Sequence, residues 1–211
     1  MYRHLFKNQD YKDLYDKTIQ EIKNGQKDLV FRVELLNNLD AYYRYTVAAL
    51  AIFIGKLDIY NDILFKKDGV AQVEERTEFS RKNEEIFDEA VVAALSFYNN
   101  AFICFKTLNM LAEEIACLSE LNKISNQKDH RNFIENTHTI RNKIGNHPHD
   151  PQIFITGNPS SWSDRGRITF SATNITYKKF RQHSFKLIPE EDAKLFYKYV
   201  IEVIELLNKK V

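Results

Sequence analysis

The sequence predicts a mainly all-α fold: an antiparallel helical bundle with a loop or short β-hairpin insertion before the last helix. Three observations carry this. Only 6 Gly and 4 Pro occur in 211 residues, and Pro148, Pro151, Pro159 and Pro189 all lie in the C-terminal third. Gly and Pro punctuate a chain into turns, so the first 145 or so residues are nearly unpunctuated. Phe87, Val91, Ala94, Tyr98, Ala101, Phe105, Leu108, Ala112 and Ile115 then step by fours and threes, which places them on one dry face of a long helix. Hydrophobic residues make up 44% and aromatics 13% of the chain, enough apolar mass for a core. Folded units run about 100–200 residues, so residues 1–211 read as a single helical domain with an irregular or β insertion at 147–188.

The elements follow in order. An amphipathic helix over about Tyr11 to Lys23, with Leu14, Ile19 and Ile22 as its apolar positions, stops at Asn24-Gly25, a pair suited to a helix C-terminus. A second helix, about Leu29 to Phe65, places Phe31, Leu35, Leu39, Tyr42, Tyr45, Ala49, Ile52 and Phe53 at helical spacing. Gly55 is a candidate kink, and Lys66 to Gly69 ends the segment. Gln72 to Glu85 is nearly all polar and is open between solvated helix and loop. The heptad stripe predicts a helix over about Asn83 to Lys123. Val92, Leu95, Phe97 and Phe102 flank that stripe with further apolar surface, which favours the spine of a bundle over a free coiled coil. A shorter helix, about Arg131 to Ile144, stops at Gly145-Asn146. Pro151 to Ser163 reads as loop, and Arg167 to Tyr177 as a strand or small hairpin. Pro189 followed by Glu190, Glu191 and Asp192 opens a last helix, with acids toward the positive end of its dipole.

With 30 Lys+Arg against 29 Asp+Glu, the chain is neither a histone-like polycation nor an acidic tail protein. A balanced total still leaves room for a local basic strip. Cys104 and Cys117 fall in one expected helix, nearly 20 Å apart at ~1.5 Å per residue; they read as free buried thiols of a reducing compartment. The N-terminus lacks a signal-peptide core, and the run Val47 to Ile54 falls short of the ~18–20 residues a membrane span needs. A cytoplasmic location with no membrane partner is the expectation.

The chemistry concentrates in one segment. His130, His138, His147 and His149 lie within twenty residues, at a helix end beside His147-Pro148-His149-Asp150. If that helix breaks at Gly145, the chain can fold His147 back over the last turn, so that Arg141 and His147 face one phosphate. Arginine offers a permanently charged planar fork to phosphate oxygens. Histidine titrates near neutrality and can exchange a proton with a ribose hydroxyl or a leaving oxygen.

Arg141-Asn142-Lys143-Ile144-Gly145-Asn146-His147 resembles the signature of the HEPN superfamily (higher eukaryotes and prokaryotes nucleotide-binding): an Arg, a polar residue such as Asn, and a His after four to six intervening positions. The resemblance covers this short motif and the all-helical layout. It implies a HEPN-like bundle with Arg141, Asn142 and His147 as catalytic residues. The implied activity is metal-independent cleavage of RNA by 2′-OH attack, leaving a 2′,3′-cyclic phosphate. It also implies a homodimer and, for a toxin or antiphage effector, a cognate antitoxin. No cofactor and no metal are expected.

A second signal follows the motif. Arg165, Arg167, Lys178, Lys179, Arg181, Lys186 and His183 occur without an acid between 165 and 188, interleaved with Phe170, Tyr177, Phe180 and Phe185. Cations that meet phosphates, alternating with rings that stack bases, suit single-stranded RNA. A solvated hairpin surface is the plainer account of this strip, as a structural helix end is of Arg141 and His147. A metal held by His147, His149 and Asp150, joined by His138 or His130, is a minority alternative. A non-catalytic helical module that binds nucleotide, RNA or protein is the competing function.

Overall fold

The computed structural model describes residues 3–65, 73–141, 167–171, 174–178, 185–187 and 189–211. They form a mainly helical protein: α1 (Gln9–Lys23), α2 (Val30–Phe65), α3 (Val73–Glu114), α4 (Leu118–Ser125), α5 (Lys128–Ile140) and α6 (Pro189–Lys210), with short 3-10 turns at Leu5–Lys7 and Lys27–Leu29. Between α5 and α6 lie three strands, β1 (Arg167–Ser171), β2 (Asn174–Lys178) and β3 (Phe185–Leu187), paired antiparallel in that order.

Helix α1 starts two residues earlier than its apolar pattern because Asn8 caps it, its side-chain oxygen accepting the Tyr11 N–H. It closes at Gly25, whose φ of 107° is the left-handed conformation glycine adopts without penalty.

Helices α2 and α3 run antiparallel as a long hairpin. Arg32 pairs with Glu114, Thr46 meets Cys104, and Lys56 pairs with Glu89, so residue numbers rise on one helix as they fall on the other. The polar segment from Gln72 that was open between helix and loop is helical from Val73. Ala94, Tyr98, Ala101, Phe105, Leu108 and Ala112 of the expected stripe are all buried. Phe87 and Val91 fall outside the residues whose side chains are described.

Two expectations are corrected. The helix predicted from Asn83 through Lys123 is two helices, separated at Ile115–Cys117. Ala116 takes φ 57°, its N–H bonds the Glu113 carbonyl, and the Cys117 N–H reaches back to Ala112. That is the hydrogen-bond pattern of a Schellman helix end, built on alanine instead of glycine. On α2, Phe31, Tyr45 and Ile52 are 48%, 54% and 52% exposed. Leu35, Leu39, Ala49 and Phe53 of the same set are buried, joined by Leu36, Tyr43 and Leu50, because α2 is apolar on two opposite faces. The Asp88–Glu114 part of α3 is long and apolar enough to cross a membrane by length and composition alone, and 53% of it is buried within the protein, as in the core helix of a bundle.

The last helix sits at the centre of the core. Phe196 stacks on Tyr43 of α2 and meets Phe97 and Phe105 of α3, while Tyr199 meets Phe105 edge-on at 5.1 Å. Phe133 of α5 joins through Phe105 and Phe97. Buried Thr18, Thr46, Thr107 and Thr137 each donate their hydroxyl hydrogen to the carbonyl four residues earlier. These polar groups therefore enter the core already satisfied.

Candidate phosphate and base site at the end of helix α5

Arg141 follows the last residue of α5 as its C-cap. Its side chain crosses to α3, where the guanidinium carbon lies 4.7 Å from the centre of the Phe102 ring. His138, one turn earlier on α5, packs against the same ring at 5.7 Å. Lys106, one turn beyond Phe102 on α3, places its ammonium 5.4 Å from that ring centre. The spacing accounts for this grouping: positions three or four apart share one face of a helix, so 138 and 141 project together from α5, and 102 and 106 from α3.

Phe102 is half-buried, whereas His138 and Lys106 are exposed. The patch thus holds one aromatic ring ringed by a guanidinium, an ammonium and an imidazole at the protein surface. Stacking of Arg141 on Phe102 orders a long side chain that would otherwise be free to rotate. An ordered guanidinium can present its planar fork to phosphate oxygens, and guanidinium planes and aromatic rings are both surfaces on which a base can stack.

Of the residues singled out in the sequence, Arg141 and His138 are brought together. His130 is not part of this group. It is 1% exposed, with Nδ1 3.2 Å from the Ile124 carbonyl and 3.7 Å from a Glu202 carboxylate oxygen, and with its ring edge-on to Tyr199. It is a core histidine joining α4, α5 and α6, so the clustering of four histidines in sequence overstated the site. Asn142, His147, His149 and Asp150 lie outside the described residues, as do Arg165, Lys179, Arg181 and His183. Arg167 and Lys178 are described through their backbone and are register partners across β1 and β2.

No known protein family, curated protein or solved structure matches this chain.

Phe102 and Lys106 were missed as site residues. Phe102 registered only as apolar surface flanking the stripe. The available signal was an aromatic and a lysine four apart on that flank, opposite a helix carrying His and Arg three apart. The two cysteines are taken out of contention by burial. Desolvation pushes the Cys104 thiol up to about 12, and Cys117 is also raised by burial, with the Glu120 carboxylate adding to the effect. Neither forms the thiolate a nucleophile needs near neutrality.

Proposed function

We propose that the protein is a metal-independent endoribonuclease of HEPN type, acting as a toxin or antiphage effector, in which Arg141 holds the scissile phosphate and His147 exchanges the proton. The observation that supports this reading is the placement of Arg141: at the end of its helix, stacked on Phe102, beside His138 and Lys106. On this reading the bundle is HEPN-like, and the β segment is an insertion before α6. The 2′-OH attacks the adjacent phosphorus as His147 removes its proton. The 5′-oxygen then leaves with the proton that His147 hands on to it, and the phosphate remains as a 2′,3′-cyclic diester. Arg141 carries the negative charge that builds on the non-bridging oxygens. Asn142 lies beside it in the chain, and Arg165, Arg167, Lys178, Lys179, Arg181 and His183 supply contacts to flanking phosphates.

The experiment is incubation of RNA with purified protein in EDTA, with His147→Ala and Arg141→Ala alongside. Cleavage by the wild type, lowered about 100-fold or more in His147→Ala at unchanged circular dichroism, is expected from the usual worth of a general acid–base group. Equal cleavage by wild type and His147→Ala overturns the assignment. The second reading is a non-catalytic helical module, favoured by the apolar outer face of α2. It requires binding without cleavage in the same assay.

A further inference from the structure

Helix α2 carries an apolar face that its own bundle does not use. Tyr43, Leu50 and Phe53 are buried toward the core. At about 100° per residue, the opposite side carries Ala41, Tyr45, Ala48, Ile52, Gly55 and Ile59. These alternate by fours and threes, the spacing of a two-helix seam. Tyr45, Ile52 and Ile59 are 54%, 52% and 45% exposed, a line of large apolar side chains at seven-residue intervals. Single exposed apolar residues are ordinary, but a continuous row at seam spacing marks an interaction surface.

We propose that this face binds the same face of a second copy of the chain, with the two α2 helices antiparallel about a two-fold axis near Leu50. The seam is complementary to itself in size. Reflection about Leu50 sets Ala41 against Ile59, Tyr45 against Gly55, and Ala48 against Ile52. Each large side chain meets a small one, and each pairing occurs twice, as an isologous interface requires. Gly55 leaves open space where a Cβ would stand, which suits it to receive a tyrosine ring.

The seam is also complementary to itself in charge. The positions flanking it on one side are Arg44, Ala51 and Asp58. In an antiparallel pair such flanking positions face each other, so Arg44 of each copy meets Asp58 of the other, while Ala51 lies on the axis opposite itself. A parallel pairing would set Arg44 against Arg44 and Asp58 against Asp58. A partner of unrelated sequence would match neither pattern by construction. A homodimer is also what the resemblance implies; the face, the antiparallel register and the Arg44–Asp58 pairing are argued from α2 alone and stand without the ribonuclease reading.

Sedimentation of the full chain at tens of micromolar tests it. The expected mass is twice 24.9 kDa, and Ile52→Lys, a change at an exposed position, is expected to give the monomer. Arg44→Asp and Asp58→Arg are each expected to weaken association about tenfold or more, and the double exchange to restore it to within about threefold. Because Arg44 also bonds Asp40 within its own helix, crosslinking supplies a readout that leaves this pair intact. Under mild oxidation Ala51→Cys is expected to link two copies and Asp58→Cys is not. A monomeric wild type, a dimer indifferent to Ile52→Lys, a double exchange that fails to restore association, or crosslinking through Asp58→Cys as efficient as through Ala51→Cys each overturns the proposal.

Discussion

The Tyr98 hydroxyl donates a hydrogen bond of 2.8 Å to the Asp192 carboxylate, tying the middle of α3 to the first turn of α6. Burial and the neighbouring carboxylate both raise the phenol well above its ordinary value of 10.0, so Tyr98 stays protonated and remains a donor. Asp192 in turn sits where the positive end of the α6 dipole favours a carboxylate. Hydrogen bonds to charged groups contribute about 1.5–3 kcal/mol. Tyr98→Phe is therefore expected to lower the free energy of unfolding by about 2 kcal/mol in urea titrations. Tyr199→Phe, which loses only a hydroxyl pairing with Ser125, is expected to cost about 1 kcal/mol.

Arg141 and Lys106 meet at the Phe102 ring, so RNA binding there predicts a specific salt signature. Each cation that meets a single-stranded phosphate contributes about 0.7 to the slope of log affinity against log salt. Arg141→Ala is expected to reduce that slope by about this amount and to weaken binding of single-stranded RNA, read by fluorescence anisotropy over a range of salt. Phe102→Leu keeps both charges but removes the ring. It is expected to weaken binding by about 1–3 kcal/mol while leaving the slope unchanged. A slope that does not move in Arg141→Ala removes Arg141 from the interface.

The α3–α4 junction offers a test of stability. A left-handed alanine costs about 1–2 kcal/mol relative to its ordinary conformation, whereas glycine adopts it freely. Ala116→Gly is thus expected to raise the denaturation midpoint, with a gain of about 1 kcal/mol. Ala116→Val, branched at Cβ, is expected to lower it by more than that. Unchanged stability in both variants would mean that the turn relaxes out of the left-handed region.

The exposed pair between Glu120 of α4 and Lys210 of α6, 2.8 Å apart, predicts a dependence on acid pH. Hydrogen bonds from Lys210 and then Ser119 hold the Glu120 carboxyl down to about 2, against its ordinary value of 4.5. Because the folded value lies below the unfolded one, the contribution of this pair is complete above pH 4.5 and is lost as pH falls toward about 2. In Lys210→Met the Glu120 carboxyl is expected to titrate close to the ordinary range, followed by carboxyl carbon shifts in NMR. A carboxyl that still titrates near 2 without Lys210 assigns the effect to Ser119.

The main helices were legible because their cause is local. Burial periodicity marked α3 from Ala94 to Ala112, and Asn24-Gly25 and Pro189 marked helix ends by backbone chemistry that only those residues supply. The junction at Ala116 was not legible, since nothing about an alanine announces a left-handed turn. On α2 the outward Tyr45 and Ile52 were not separable from the inward Leu35, Leu39, Ala49 and Phe53 for a different reason. Periodicity reports that a face is apolar, not which neighbour covers it, and α2 has two such faces. At the site, the sequence marked Arg141 and His138 by proximity along the chain. Phe102 and Lys106 come from a helix thirty-odd residues earlier, a relationship that only the packing of α3 against α5 creates. Proximity along the chain likewise drew His130 into the group, although its ring points into the core.

The central position of α6 also bears on how the molecule is made. Phe196, Tyr199, Val200, Val203, Ile204 and Leu207 complete the core, and Asn208 bonds Asp10 and Lys17 of α1. Residues at opposite ends of the described chain thus close the same bundle. Contacts so distant in sequence form late. While the ribosome is still adding residues 189–208, the long hairpin of α2 and α3 carries its inner apolar face uncovered. In that interval the nascent chain exposes apolar surface through which chains can associate, a surface that the finished protein buries.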